Sequence, residues 1–174
     1  MFSAQKFEGS IRCLLLGVAT VLLLQVPRAA SADARSLTME TLLDRVQIED
    51  MMVEYYTVLP LDHHDLGKYF VKNAELVLND QTLKGRDAIQ KFYDGALDPR
   101  IQPGKYYNMM FGNPRISVTG NAATMDAIWT GILSDALKAP PRLIEQGTEH
   151  TEFVKEGGRW MITKRVIVSE SGLP

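Results

Sequence analysis

The feature that most constrains this chain is a change of hydrophobic period near Lys105. Before it, apolar residues recur every three or four positions; after it they alternate, in runs broken by glycine and proline. Helices first and antiparallel strands last make an α+β fold, a curved antiparallel sheet wrapped on one side by helices. The first helix spans Thr38 to Leu59, with Leu42, Val46, Val53 and Tyr56 on one apolar line and Ile48, Met52, Tyr55 and Leu59 on the next. Pro60 ends it, because proline removes a backbone donor and disfavours helix in the residue before it. A short helix, HHDLGKYF, comes next, with Asp62 as its cap. The strand AELVLN, a turn at Asn79-Asp80 and a third helix over residues 86–97 complete the first half.

Strand-forming segments then occupy the rest. KYYNMMF and RISVT are separated by Gly112-Asn113-Pro114, and Gly120-Asn121 turns the chain into AATMDAIWTGIL. Beyond the proline loop APPR, LIEQGTEHTEFVK and RWMITKRVIVS form a hairpin closed by Gly157-Gly158.

Residues 1–32 read as a secretory signal: Lys6 and Arg12 precede the uncharged core CLLLGVATVLLLQV, and Ala30-Ser31-Ala32 is a small-residue cleavage site. The core is too short to span a bilayer, so no membrane anchor is expected after cleavage. Ala32-Asp33-Ala34 offers an equally good cut. Residues 33–174 then make one domain of 142 residues with 16 basic and 20 acidic side chains, a net charge of −4. No basic patch marks a nucleic-acid partner. The single cysteine, Cys13, leaves with the signal, which excludes disulfides and thiolate chemistry in the mature chain.

Five segments in order resemble one family. IEDMMVEYY, NAEL, LKGRDAIQKFY, FGNPRISVTGNAAT and GGRWMITKR, within residues 40–168, are similar to motifs of the SnoaL-like branch of the nuclear transport factor two-like superfamily. The resemblance implies a cone-shaped barrel wrapped by three N-terminal helices, with a mouth that accepts a small, mostly apolar molecule. It also implies a choice of dehydratase, isomerase, cyclase and dehydrohalogenase activities, or none. Catalytic relatives use no cofactor: an Asp at the end of the first helix works with a His on a strand. Such a pair suits proton removal beside a carbonyl or elimination of water, because burial raises a base's proton affinity.

The acid is matched by Asp62, once extra residues are allowed before it. The strand histidine is replaced by Asn108, Met109 and Met110, which leaves His150 or His64 as proton partner. Alternation puts Thr148, His150 and Glu152 on one strand face and Glu149, Thr151 and Phe153 on the other, without saying which is inside. Tyr56 offers a phenol to a substrate oxygen, or is a core residue with a wet tip. Tyr55, Asn108, Met109 and Trp129 are expected to line the pocket, and Arg165 to bind an anionic substrate group or pair with a surface acid. A metal at Asp62, His63, His64 and Asp65 is not expected, since the spacing that aims two rings at one ion is missing.

Two functions remain open. One is a cofactor-independent lyase or isomerase acting on a small hydrophobic, ring-containing molecule. The other is an exported binding protein with the same pocket and no proton chemistry. Homodimerisation through Ile128, Ile132, Val166 and Val168 on the exposed sheet face is expected from the family's shape.

Overall fold

The computed structural model describes residues 37–59, 65–95 and 103–171. The first helix, α1 (Met39–Val58), starts where the sequence places it. The Thr38 hydroxyl accepts from the Thr41 backbone N–H at 3.2 Å, and the Thr41 hydroxyl accepts from the Thr38 N–H at 3.1 Å, so two otherwise orphaned donors are satisfied. Only one of its two apolar lines is covered: Ile48, Met52 and Tyr55 are fully buried, whereas Leu42, Val46 and Val53 stand out in solvent. Of that outer line, Tyr56 alone turns inward. A helix lying on one sheet can bury a single stripe, so the broad two-line face expected from periodicity narrows to its inner half.

Residues 60–64, which carry Pro60, Asp62, His63 and His64, lie outside the described residues. After them comes one 3-10 turn, Gly67–Tyr69, in place of the latter part of the expected short helix. The Asp65 carboxylate accepts from the Lys68 backbone N–H at 3.1 Å and closes this turn. The Gly67 N–H donates to Gln90 Oε1 at 2.7 Å, pinning the corner to the next helix.

The chain continues as β1 (Phe70–Leu78), β2 (Gln81–Lys84), α2 (Arg86–Gly95), β3 (Tyr106–Thr119), β4 (Ala122–Ser134), β5 (Arg142–Glu156) and β6 (Arg159–Ser171). The six strands form one curved, unclosed sheet in the order β2-β1-β6-β5-β4-β3. All pairings are antiparallel except β1 with β6, which run parallel because the last strand returns beside the first. The short β2, not anticipated from the sequence, hairpins back on β1 through Asn79, whose φ of 48° is the left-handed conformation that asparagine tolerates. The two runs expected around Gly112-Asn113-Pro114 are one strand, whose register shifts between Gly112 and Arg115. Proline donates no ladder hydrogen bond, and a bulge accommodates it without ending the strand.

The first half of α1 is tied to the β5–β6 hairpin through Asp44, which accepts from Lys155 Nζ at 2.6 Å and from Trp160 Nε1 at 3.0 Å. Burial acts to raise the Asp44 pKa, but these two donors more than offset it and hold the carboxyl below its ordinary value. The second half of α1 lies over the inner sheet face, where Tyr56 stacks on Phe111 of β3 with ring centres 5.3 Å apart.

Candidate functional site

Strand alternation decides which side chains face the helices. On β4, Met125, Ala127, Trp129 and Leu133 are buried; on β5, Glu145, Glu149, Thr151 and Phe153 are. Two carboxylates therefore enter an otherwise apolar layer. Burying a charge is costly unless it is paired and hydrogen-bonded, so each needs a partner.

Glu149 has Arg165. The guanidinium, 1% exposed, donates from Nε to Glu149 Oε2 at 2.7 Å and from Nη2 to the Tyr56 hydroxyl at 2.6 Å. It also lies over the faces of Tyr55 and Tyr56, 4.4 and 5.1 Å from the ring centres. Burial alone would lower the Arg165 pKa; the Glu149 carboxylate and the surrounding phenols outweigh it and keep the group charged. Arg165 is thus the partner of a buried acid, where the sequence offered an anionic substrate group or a surface acid.

Phenols complete this cluster. The Tyr55 hydroxyl donates to that of Tyr93 on α2 at 2.5 Å. Burial pushes Tyr55, Tyr56 and Tyr93 up, so all three are neutral hydrogen-bonding groups at any physiological pH. Glu149 Oε1, Arg165 Nη1 and Thr151 Oγ1 lack hydrogen-bond partners among the described residues although they are buried. Unmatched buried polar atoms beside one another are where a ligand or water is accommodated.

The other acid, Glu145, lies towards the opposite end of β5 and is hydrogen-bonded to the Tyr107 phenol of β3. Two glycines make this possible. Gly131 of β4 pairs with Glu145 and Gly147 of β5 pairs with Trp129, so the acid leans over one glycine and the indole over the other. A Cβ on Gly131 would fall 2.5 Å from the Glu145 side chain. The indole Nε1 of Trp129, itself 2% exposed, has no hydrogen-bond partner among the described residues. Neither Glu145 nor Tyr107 was singled out by sequence; glycines at inward positions of adjacent strands were the available signal.

The expected residues divide between the two faces. Trp129, Tyr55, Tyr56, Met109 and Arg165 all belong to the inner side. His150 does not: with Glu149 turned inward to Arg165, its neighbour points outward, where His150 Nδ1 meets Asp126 Oδ1 at 2.6 Å. The role offered for His150, proton partner to an acid in the pocket, is corrected accordingly, since its ring lies on the outer face. It borders an outer depression of about 390 Å³ with Ile128, Thr148, Val166 and Val168. Asn108 shares that orientation, exposed on β3 between the outward Tyr106 and Met110, so it is not pocket lining either. Asp62 and His64 lie outside the described residues.

Residues 40–166 match the SnoaL-like domain family. A nuclear transport factor two-like protein with a cystatin-like fold from Novosphingobium aromaticivorans is similar at 19% identity and a TM-score of 0.65, covering 77% of this chain and 86% of its own. A protein described as a candidate scytalone dehydratase from the same organism superposes with a TM-score of 0.63 at 22% identity, over 79% of this chain and 93% of that one. A Catenulispora acidiphila protein in complex with the small molecule S-DNPA gives 0.60 at 13% identity, over 74% and 94%. At such identities the likeness establishes the fold. A search of curated proteins finds no match.

Proposed function

Because the chain belongs to the SnoaL-like family, we propose that it is a cofactor-independent lyase or isomerase acting on a small hydrophobic, ring-containing molecule held against the inner sheet face. The supporting observation is the composition of that face: two buried carboxylates, a buried guanidinium and neutral phenols set among Trp129, Met109 and Phe111. An apolar molecule needs only the apolar part of such a surface. The titratable part is what proton chemistry uses, since hydrogen-bonding groups held away from water act more strongly on charge that develops in a reaction. Asp62 is the proposed base and His64 its proton partner; Tyr56 is directed by Arg165 and orients the substrate. That a structural relative is described as a candidate dehydratase, and another holds a small molecule, supports the same class.

The non-catalytic binder is the second reading, favoured by the outward position of His150 and by the engagement of Glu149 with Arg165. Screening hydroxylated and keto ring compounds for both thermal shift and product separates the two. Asp62→Asn is expected to keep ligand affinity and lose turnover by about 10²-fold, with His150→Gln unchanged. Turnover that survives Asp62→Asn rules out the assigned base, and stabilisation without product from any compound establishes the binder.

We also infer export and dimerisation. The signal-like residues 1–32 direct the first. For the second, Ile128 and Val168 remain 44% and 47% exposed on the outer face, beside Val166 and Ile132, and a second copy would cover them. Native mass measurement of the exported protein is expected to give twice the mass of residues 33–174 or 35–174; a full-length or monomeric mass contradicts the corresponding inference.

A further inference from the structure

We propose that a hollow on the flank of α1, separate from the inner sheet face, binds a small molecule that carries one carboxylate on an apolar body. Three elements build it. Gln47, Met51 and Glu54 recur at i, i+4 and i+7 along one side of α1. Lys68 and Tyr69 come from the 3-10 turn, and Gly158, Arg159 and Trp160 from the β5–β6 turn and the start of β6. Together they line about 360 Å³, within the range of small-molecule sites.

The charges in this lining leave one cation over. Lys68 Nζ donates to Glu54 Oε1 at 2.7 Å, so these two balance each other. Lys68 and Tyr69 first, and Arg159 last, hold the Glu54 carboxyl below its ordinary value, yet Arg159 makes no hydrogen bond or ion pair among the described residues. Glu156, opposite Arg159 across the turn, is not part of the lining. Tyr69 lines the same hollow, and its hydroxyl, on a side chain 4% exposed, has no hydrogen-bond partner among the described residues. Burial, and then Glu54, raise the Tyr69 pKa, so the phenol keeps its proton and can donate it. A guanidinium fork and a phenol O–H are both matched by the oxygens of a carboxylate. The remaining wall is apolar: Met51 is half-buried, and the Trp160 indole, whose Nε1 already donates to Asp44, offers only its ring. A bare ion would leave that surface unused, so the ligand has an apolar body as well.

Titration calorimetry of the whole protein with phenylacetate, its neutral amide phenylacetamide, and acetate tests this. Phenylacetate should bind about 10-fold more tightly than the amide, through charge-assisted hydrogen bonds, and about 10-fold more tightly than acetate, through the apolar contact. Arg159→Gln should abolish the preference over the amide and keep that over acetate. Arg115→Gln, at another exposed arginine that borders the outer depression, should change neither. Both side chains are exposed, so thermal unfolding should match the wild type. Arg159→Lys, which keeps the charge without the fork, should give an intermediate preference and replaces the glutamine variant if that one unfolds. A preference over the amide that survives Arg159→Gln overturns the site, because the carboxylate is then held elsewhere. Acetate binding as tightly as phenylacetate overturns it too, leaving an ion contact only, as does a failure of phenylacetate to bind at millimolar concentration. None of these results bears on the inner-face reading, which stands or falls on turnover.

Discussion

Replacing Arg165 with methionine is expected to destabilise the protein by about 3–5 kcal/mol, because Glu149, itself buried, then loses the ion-pair partner that offsets its desolvation. The loss should appear as a lower urea midpoint with an unchanged slope. Combining Arg165→Met with Glu149→Leu should recover most of it, since the desolvation of both charges is removed together with their attraction. Arg165→Lys is a sharper probe. It keeps the charge but loses the fork that serves Glu149 and Tyr56 at once and the flat contact on Tyr55. If lysine restores full stability, the guanidinium geometry is unimportant and the pair is only a charge balance. If the double replacement is as unstable as the single one, the stabilisation lies in packing against the tyrosines.

The same pair explains what could be read from the sequence and what could not. Local signals were legible: the Thr38 start of α1, the Gly120-Asn121 and Gly157-Gly158 turns and the strand alternation each depend on neighbours within a few residues. The face on which His150 lies depends on a residue of another strand. Thr148-His150-Glu152 is wholly polar and Glu149-Thr151-Phe153 sets an acid and a hydroxyl beside its one aromatic, and burial of the second set depends on Arg165, paired across β5–β6 with Thr151. Two further departures have the same cause. The parallel β1–β6 pairing and the exposure of Leu42, Val46 and Val53 arise from where the last strand returns and how much of α1 one sheet can cover. The five family motifs located the fold because they record those tertiary constraints together.

Gly147→Ala is expected to cost about 3 kcal/mol, at the upper end of what overpacking costs, and to prevent native folding if the sheet cannot adjust. The backbone here is not in the glycine-only region of φ, so the penalty comes from space alone. A Cβ at Gly147 would sit 2.0 Å from the Val168 carbonyl oxygen and within 2.8 Å of two ring atoms of Trp129. The first is backbone of the neighbouring strand and cannot rotate away; the second belongs to a buried indole. Gly131→Ala gives the contrast. The three atoms nearest its Cβ all belong to the Glu145 side chain, 2.5 Å away at closest, which has rotatable bonds and can withdraw. This variant should therefore fold with a smaller loss of stability and displace Glu145 from Tyr107. Thermal unfolding measured on the two variants checks this contrast. A Gly147→Ala protein as stable as the wild type would mean that β5 and β6 separate easily at this point, and that the close approach of the Val168 carbonyl and the Trp129 ring to Gly147 is not a rigid constraint.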